Sequence, residues 1–232
     1  MEIKILYDDN HLLVVEKPVN VPVQEDASGD KDLLTILKED LKVRYQKPGN
    51  VFLGLVHRLD RPVGGVIVFA KTSKAASRLS DSLRKQDFDR GYLAVVRGVP
   101  PEKHAVLEHY LKKDRRKNQV FVVPPREKGA KYAKLEYEVL ASAAGLSLLR
   151  VKLYTGRSHQ IRVQLSAIGC PLYGDQKYGQ KVNKPGQQLA LWAYSLAFLH
   201  PVKKEKMVVH SLPPDAYPWN IWSESIKKWA FS

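Results

Sequence analysis

Asp60 stands between two arginines, Arg58 and Arg61, and runs into the turn Pro62-Val-Gly-Gly65 and the apolar stretch Val66-Ile-Val-Phe-Ala70. A carboxylate set beside buried structure among guanidiniums is held ionised, ready to serve as a nucleophile or proton acceptor. An isolated aspartate between arginines is most simply a surface salt bridge. A second segment far along the chain, Leu153-Tyr-Thr-Gly-Arg-Ser-His-Gln-Ile-Arg162, overturns that simple reading. A hydrolytic triad of Ser158, His159 and Asp60 is set aside, because Ser158 is explained as a helix cap and no Gly-x-Ser-x-Gly elbow is present. No Walker loop, dinucleotide glycine fingerprint or His-Glu-x-x-His pair occurs either.

The elements that must position these residues follow from periodicity. Ile3–Tyr7 and Leu12–Lys17 flank Asp8-Asp-Asn10 and read as a hairpin. Leu33, Leu34, Ile36, Leu37 and Leu41 have helical spacing within residues 30–46. Val66–Ala70 is a buried strand, and Ser73 is expected to cap a helix over 74–86. Tyr92–Val96 is another strand. Long strands over 133–141 and 146–153 meet at Ala144-Gly145, and Ser158 is expected to cap a helix through Ala167 that stops at Gly169. Residues 188–199 and 206–210 read as closing strands. Strands outnumber helices without regular alternation, which predicts an α+β fold with a largely antiparallel sheet. No repeat or low-complexity linker divides the 232 residues, so a single catalytic domain over 1–232 is expected.

Hydrophobic content of 44% and charged content of 27% suit an ordinary globule, but the formal net charge is +14. Such an excess favours polyanionic partners, nucleic acid first among them. No apolar run approaches the roughly 20 residues of a membrane span, and the N-terminus lacks a signal-peptide layout. The single cysteine, Cys170, allows neither an internal disulfide nor a cysteine metal cluster, so a reducing, cytoplasmic setting is the default. Cys170 itself reads as a packed small residue.

Together the two segments resemble the RluA-type family of RNA pseudouridine synthases. The matching residues are His57-Arg-Leu-Asp60 closing at Gly65, Tyr92, Gly156 to Arg162, and Gly174-Asp-Gln-Lys-Tyr-Gly179. The resemblance runs from about Ile5 to Pro214. Two departures stand out: Val63-Gly64 where the family often has Thr-Ser, and Arg90-Gly91-Tyr92 where a lysine often precedes the tyrosine. It implies a pseudouridine-synthase-like fold, a large sheet flanked by helices with a catalytic cleft, and a Lys17-Pro18 segment leading toward the site. It also implies isomerisation of uridine to pseudouridine in structured ribosomal or transfer RNA. That reaction moves the sugar from nitrogen 1 to carbon 5 of the base, with no redox change or net hydrolysis, so neither a cofactor nor a metal is required. Asp60 is then the catalytic carboxylate, Arg162 the cation beside it, and Tyr92 the ring that stacks under a flipped uracil. Many relatives carry a further small RNA-binding domain before this region, for which no room is expected here.

Arg58, Arg61, Arg157, His159 and Gln160 are expected near the substrate, with Arg58 filling the space the flipped base leaves; His57, His159 and Gln160 read as architectural rather than catalytic. Lys112, Lys113, Arg115 and Arg116, beside the apolar strand Val120–Val123, form a cationic hairpin suited to phosphates. Lys71, Lys74, Arg78, Arg84 and Lys85 are expected to extend that surface. Trp219 and Trp222 are expected to pack back onto the domain. Two rival functions compete with this one. The first is an RNA chaperone or assembly factor on the same fold, against which the intact Asp60, Tyr92 and Arg162 set argues. The second is a base-processing glycosylase, from which Gly156–Arg162 separates the chain. A monomer is the default.

Overall fold

Asp9 closes the first hairpin: its Oδ1 accepts the backbone N–H groups of His11 (2.7 Å) and Leu12 (2.8 Å), turning β1 (Ile5–Asp8) into β2 (Leu12–Lys17). The computed structural model describes residues 2–230, which divide into two compact units. The first unit holds the chain up to Asp89 together with Ala193–Ser211; the second holds Arg90–Trp192 and the chain from Leu212 on.

In the first unit β2 pairs antiparallel with β4 (Gly64–Ala70). Leu12, Leu13, Val14 and Val15, and Val66 to Ala70, are fully buried, so this pair reads as two unbroken apolar runs covered on both faces. On the side of β4 away from β2 lie the short β3 (Gly54–Leu55), which pairs with its end, and β10 (Leu191–Leu199), which pairs in turn with β11 (Lys206–His210). Two helices accompany the strands. α1 (Leu33–Arg44) is capped by Asp32, whose carboxylate accepts the N–H of Thr35, and buries Leu33, Leu37 and Leu41. α2 (Ser73–Arg84) is capped by Thr72, not Ser73. Thr72 is extended and its hydroxyl accepts from Ala75, which leaves Ser73 as the first helical residue.

In the second unit β5 (Phe88–Arg97, entering at Arg90), β9 (Leu146–Leu153), β8 (Lys131–Ala143), β6 (His104–Asp114) and β7 (Gln119–Val123) lie in that order, every pair antiparallel. Ala144 and Gly145, both at positive φ, turn β8 into β9. α3 (Gln160–Ala167) packs on β6 and β7 through Val163, against Leu111, Val120 and Ala133. The chain closes with a 3₁₀ turn, Trp219–Trp222, and α4 (Ser223–Ala230); Trp219 and Trp222 are buried, as is Cys170. The predicted α+β class and antiparallel pairing are both found. No helix among the described residues is long and apolar enough to cross a membrane.

Candidate active site

In the first unit Asp60 occupies the loop between β3 and β4 and is half-buried, while Leu59 and Val63 of the same loop are buried. Its carbonyl accepts the N–H of Val63 at 2.9 Å, a turn that leads straight into β4. Gly65 then takes φ +113°, and a Cβ there would run into the backbone of Ala193. No other residue type fits this exit from the loop. His57 is buried, accepts the N–H of Val68 at Nε2 (3.3 Å) and packs its ring on Phe88, which is architectural work.

Lys17 at the end of β2 is fully buried. Its ammonium donates to the carbonyl oxygens of Pro18 (2.8 Å) and Arg61 (3.0 Å), tying the end of β2 to the Asp60 loop. Burial pushes this amine down to about 7, while the neighbouring Asp60 charge pulls it up and Arg61 pushes it down. Sequence reasoning gives Lys17 no role of its own; the available signal is a charge at the end of a strand that opens with the apolar run Leu12–Val15. Arg61, expected near substrate, is committed elsewhere: its guanidinium pairs with Asp30, with Asp26 at 3.6 Å and with the Ser28 hydroxyl at 2.6 Å. Arg58 is exposed.

In the second unit Tyr92 is buried in β5, opposite Val151 of β9. Arg162 lies in the first turn of α3, 6% exposed, and forms a two-pronged pair with Asp175: Nε to Oδ2 at 2.8 Å and Nη2 to Oδ1 at 2.9 Å. The Tyr178 ring lies under the guanidinium, 5.2 Å from Cζ to its centroid. Burial alone would raise the Asp175 carboxyl; Arg162 and the N–H groups of Lys177 and Tyr178 override it and hold it below the ordinary carboxylate range. A cation in the first turn opposes the helix dipole, and Asp175 offsets that cost. Asp175 belongs to the Gly174–Gly179 motif, but nothing in that motif's sequence shows it to be the anchor of Arg162.

The entrance to α3 also differs from expectation. Ser158 is not the cap. His159 is, in the left-handed region at φ 53° and without a side-chain capping bond. Gln160 shapes the entrance instead: Oε1 accepts from Arg157 N–H (3.0 Å) and the Thr155 hydroxyl (2.8 Å), and Nε2 donates to Lys134 carbonyl (3.0 Å). Buried and fully engaged, Gln160 is structural rather than a substrate contact. His159 Nδ1 and the Tyr178 hydroxyl share a hydrogen bond at 2.7 Å, and that hydroxyl also accepts from Val120 N–H. Arg157 is exposed and donates to Tyr132 carbonyl. Ile168 at the helix end is only half-buried.

In the β6–β7 hairpin Asp114 shapes the turn by accepting from the N–H groups of Arg116 and Lys117. Lys113, Arg115, Arg116 and Lys117 are exposed, whereas Lys112 pairs with Glu127 at 2.6 Å. In the first unit Lys71 is withdrawn from the expected basic surface, its side chain 8% exposed against Asp8, and Arg78 is spent on the Pro201 carbonyl.

Residues 11–167 match the RNA pseudouridylate synthase family. The chain is 34% identical over 213 residues to RNA pseudouridine synthase YhcT of Bacillus subtilis, covering 90% of this chain and 68% of that protein. It is 31% identical to ribosomal large subunit pseudouridine synthase D of Vibrio cholerae, covering 93% and 68%. Against ribosomal large subunit pseudouridine synthase C of Buchnera aphidicola the identity is 30%, covering 89% and 66%. The chain thus spans about two-thirds of the length of these relatives. Its fold matches the structure of human RNA pseudouridylate synthase domain containing 4 with a TM-score of 0.78 at 24% identity, covering 97% of this chain and 93% of that one. The chain belongs to the RNA pseudouridylate synthase family, of the RluA type its motifs resemble, isomerases that convert uridine to pseudouridine in RNA.

Proposed function

We propose that this chain isomerises particular uridines of structured ribosomal RNA, with Asp60, Tyr92 and Arg162 as the catalytic set. The observation that carries the reading is the built setting of Asp60, whose turn is clamped by the buried Lys17 ammonium and fixed by Gly65. A carboxylate serving only as a surface salt bridge needs neither. The names of the relatives from Vibrio cholerae and Buchnera aphidicola support ribosomal over transfer RNA.

In the proposed reaction the bond from carbon 1′ to nitrogen 1 breaks, the freed uracil rotates, and carbon 5 bonds to carbon 1′. The proton leaving carbon 5 is balanced by one taken up at nitrogen 1. Asp60 supplies the nucleophilic or proton-accepting oxygen. Tyr92 stacks under the flipped base, a contact of roughly 1–3 kcal/mol per base in other proteins. Arg162, held rigid by Asp175, supplies the cation of the set. Arg58 takes the place of the base in the RNA stack, and the exposed cations of the β6–β7 hairpin contact phosphates. The chain acts as one catalytic domain, a monomer, in the cytoplasm.

The test is to incubate the purified protein with unmodified large-subunit ribosomal RNA and with transfer RNA transcripts, then map pseudouridine. One or a few sites in ribosomal RNA, absent with Asp60→Asn, are expected. Sites confined to transfer RNA would overturn the substrate assignment.

A further inference from the structure

β5 carries a cation that the second unit leaves unmatched. Arg90 is partly buried, and its Nε lies inside the protein without a hydrogen-bond partner. Among the described residues no hydrogen bond or ion pair engages the rest of its guanidinium. Other arginines of the same unit are provided for. Arg162 has Asp175, Arg97 has Asn183 and Gln187, Arg150 has Glu138, and Arg157 has the Tyr132 carbonyl. Sheltering even one guanidinium N–H from water without replacing its hydrogen bond is costly, so the lone Nε calls for an explanation.

Two features of the surroundings supply one. Arg90 and Tyr92 are two residues apart in a strand, so they share one face of β5. The guanidinium rests against Gly156, where a Cβ would lie 2.6 Å from Nη1. The absence of a side chain at the head of the Gly156–Arg162 motif is what makes room for it. A permanently charged, planar fork held open in this way matches an oxyanion that can accept two of its N–H groups.

We infer that Arg90 is a substrate-binding residue that takes a phosphate of the RNA strand carrying the target uridine. This rests on the RNA reading above and deepens it by assigning one backbone contact on the face that bears Tyr92. The contact fixes register rather than sequence, since phosphates carry no base identity.

The experiment measures single-turnover conversion and filter binding of an unmodified large-subunit ribosomal RNA transcript across a series of KCl concentrations. It compares the unaltered protein with Arg90→Gln, Arg90→Met and Arg90→Lys. Loss of the charge in Arg90→Gln is expected to raise the half-saturating RNA concentration about tenfold, with the maximal rate changed less than about twofold. The slope of log affinity against log salt should flatten by about 0.7 to 0.9, the signature of one phosphate no longer neutralised. Arg90→Lys should restore the slope but only part of the affinity, because an ammonium lacks the fork. Arg90→Met keeps the packing of the stem and carries the test if the glutamine variant does not fold. An unchanged slope and half-saturation in the uncharged variants would overturn the assignment, as would a loss confined to the maximal rate. Filter binding reads the slope without chemistry, so inactivity of the unaltered protein would count against the proposed function and not against Arg90.

Discussion

The buried pair of Arg162 and Asp175 sets the energetics at the residue scale. Removing one member of a buried pair strands the other charge without its hydrogen bonds. Asp175→Asn is therefore expected to lower unfolding free energy in urea by about 3–5 kcal/mol. Replacing both residues by apolar ones of similar size should recover much of that loss. Lys17 gives a pH dependence whose sign follows from burial. Its amine is depressed to about 7 in the folded protein from 10.5 unfolded. Between those values the unfolded chain binds the extra proton, so stability rises with pH across that window. The penalty of charging Lys17 is fully present below pH 7 and lifts as the pH approaches 10.5. Lys17→Met should flatten this rise in urea midpoints measured from pH 7 to 10; an unchanged rise would assign it to other groups. In the sequence Asp60, Tyr92 and Arg162 are legible as a set only through their motifs. Lys17 and Asp175 are not, because their importance lies in which carbonyls and guanidinium they meet across long stretches of chain.

At the scale of elements, the strands are the most legible. Residues 206–210 are predicted with the boundaries observed, and Ala144-Gly145 marks the β8–β9 turn. Alternation and apolar runs report burial directly, which is why these succeed. The caps fail twice for one reason: serine is a strong capping residue by type, but the choice between neighbours is made by backbone angles. Thr72 is extended and takes the cap from Ser73, while His159 sits left-handed in the place expected for Ser158. Histidine is among the few non-glycine residues enriched at positive φ, but that preference is too weak to select it over a neighbouring serine by type alone; Gln160, bound to Thr155, Arg157 and Lys134, shapes the turn around it. Gly65 is the element-level counterpart of Lys17, since it fixes how the Asp60 loop enters β4. Gly65→Ala combines a disfavoured backbone angle with collision against Ala193 and should destabilise the protein by about 2–4 kcal/mol in urea unfolding.

For the whole molecule, the excess of 14 positive charges is unevenly available. Lys71, Arg78 and Arg61 are spent on internal partners, so they add little to an RNA surface. The exposed cations of the β6–β7 hairpin remain available. Replacing Lys113, Arg115, Arg116 and Lys117 by alanine should leave the thermal midpoint within about 2 °C. It should also flatten the salt dependence of RNA binding by about one unit of slope for each phosphate these side chains neutralise. A slope equal to that of the unaltered protein would remove the hairpin from the RNA surface. Net charge is readable from composition; which charges are already paired is not, because that depends on the folded arrangement of each unit.

The most direct measurement of the central claim is a pseudouridine map of cellular RNA from strains with the gene intact, deleted, and restored as either the natural sequence or Asp60→Asn. One or a few ribosomal sites are expected to vanish on deletion, return with the natural sequence, and stay absent with Asp60→Asn, whose rate should fall at least about 10³-fold. Persistence of every site in the deletion strain, or restoration by Asp60→Asn, would contradict that claim.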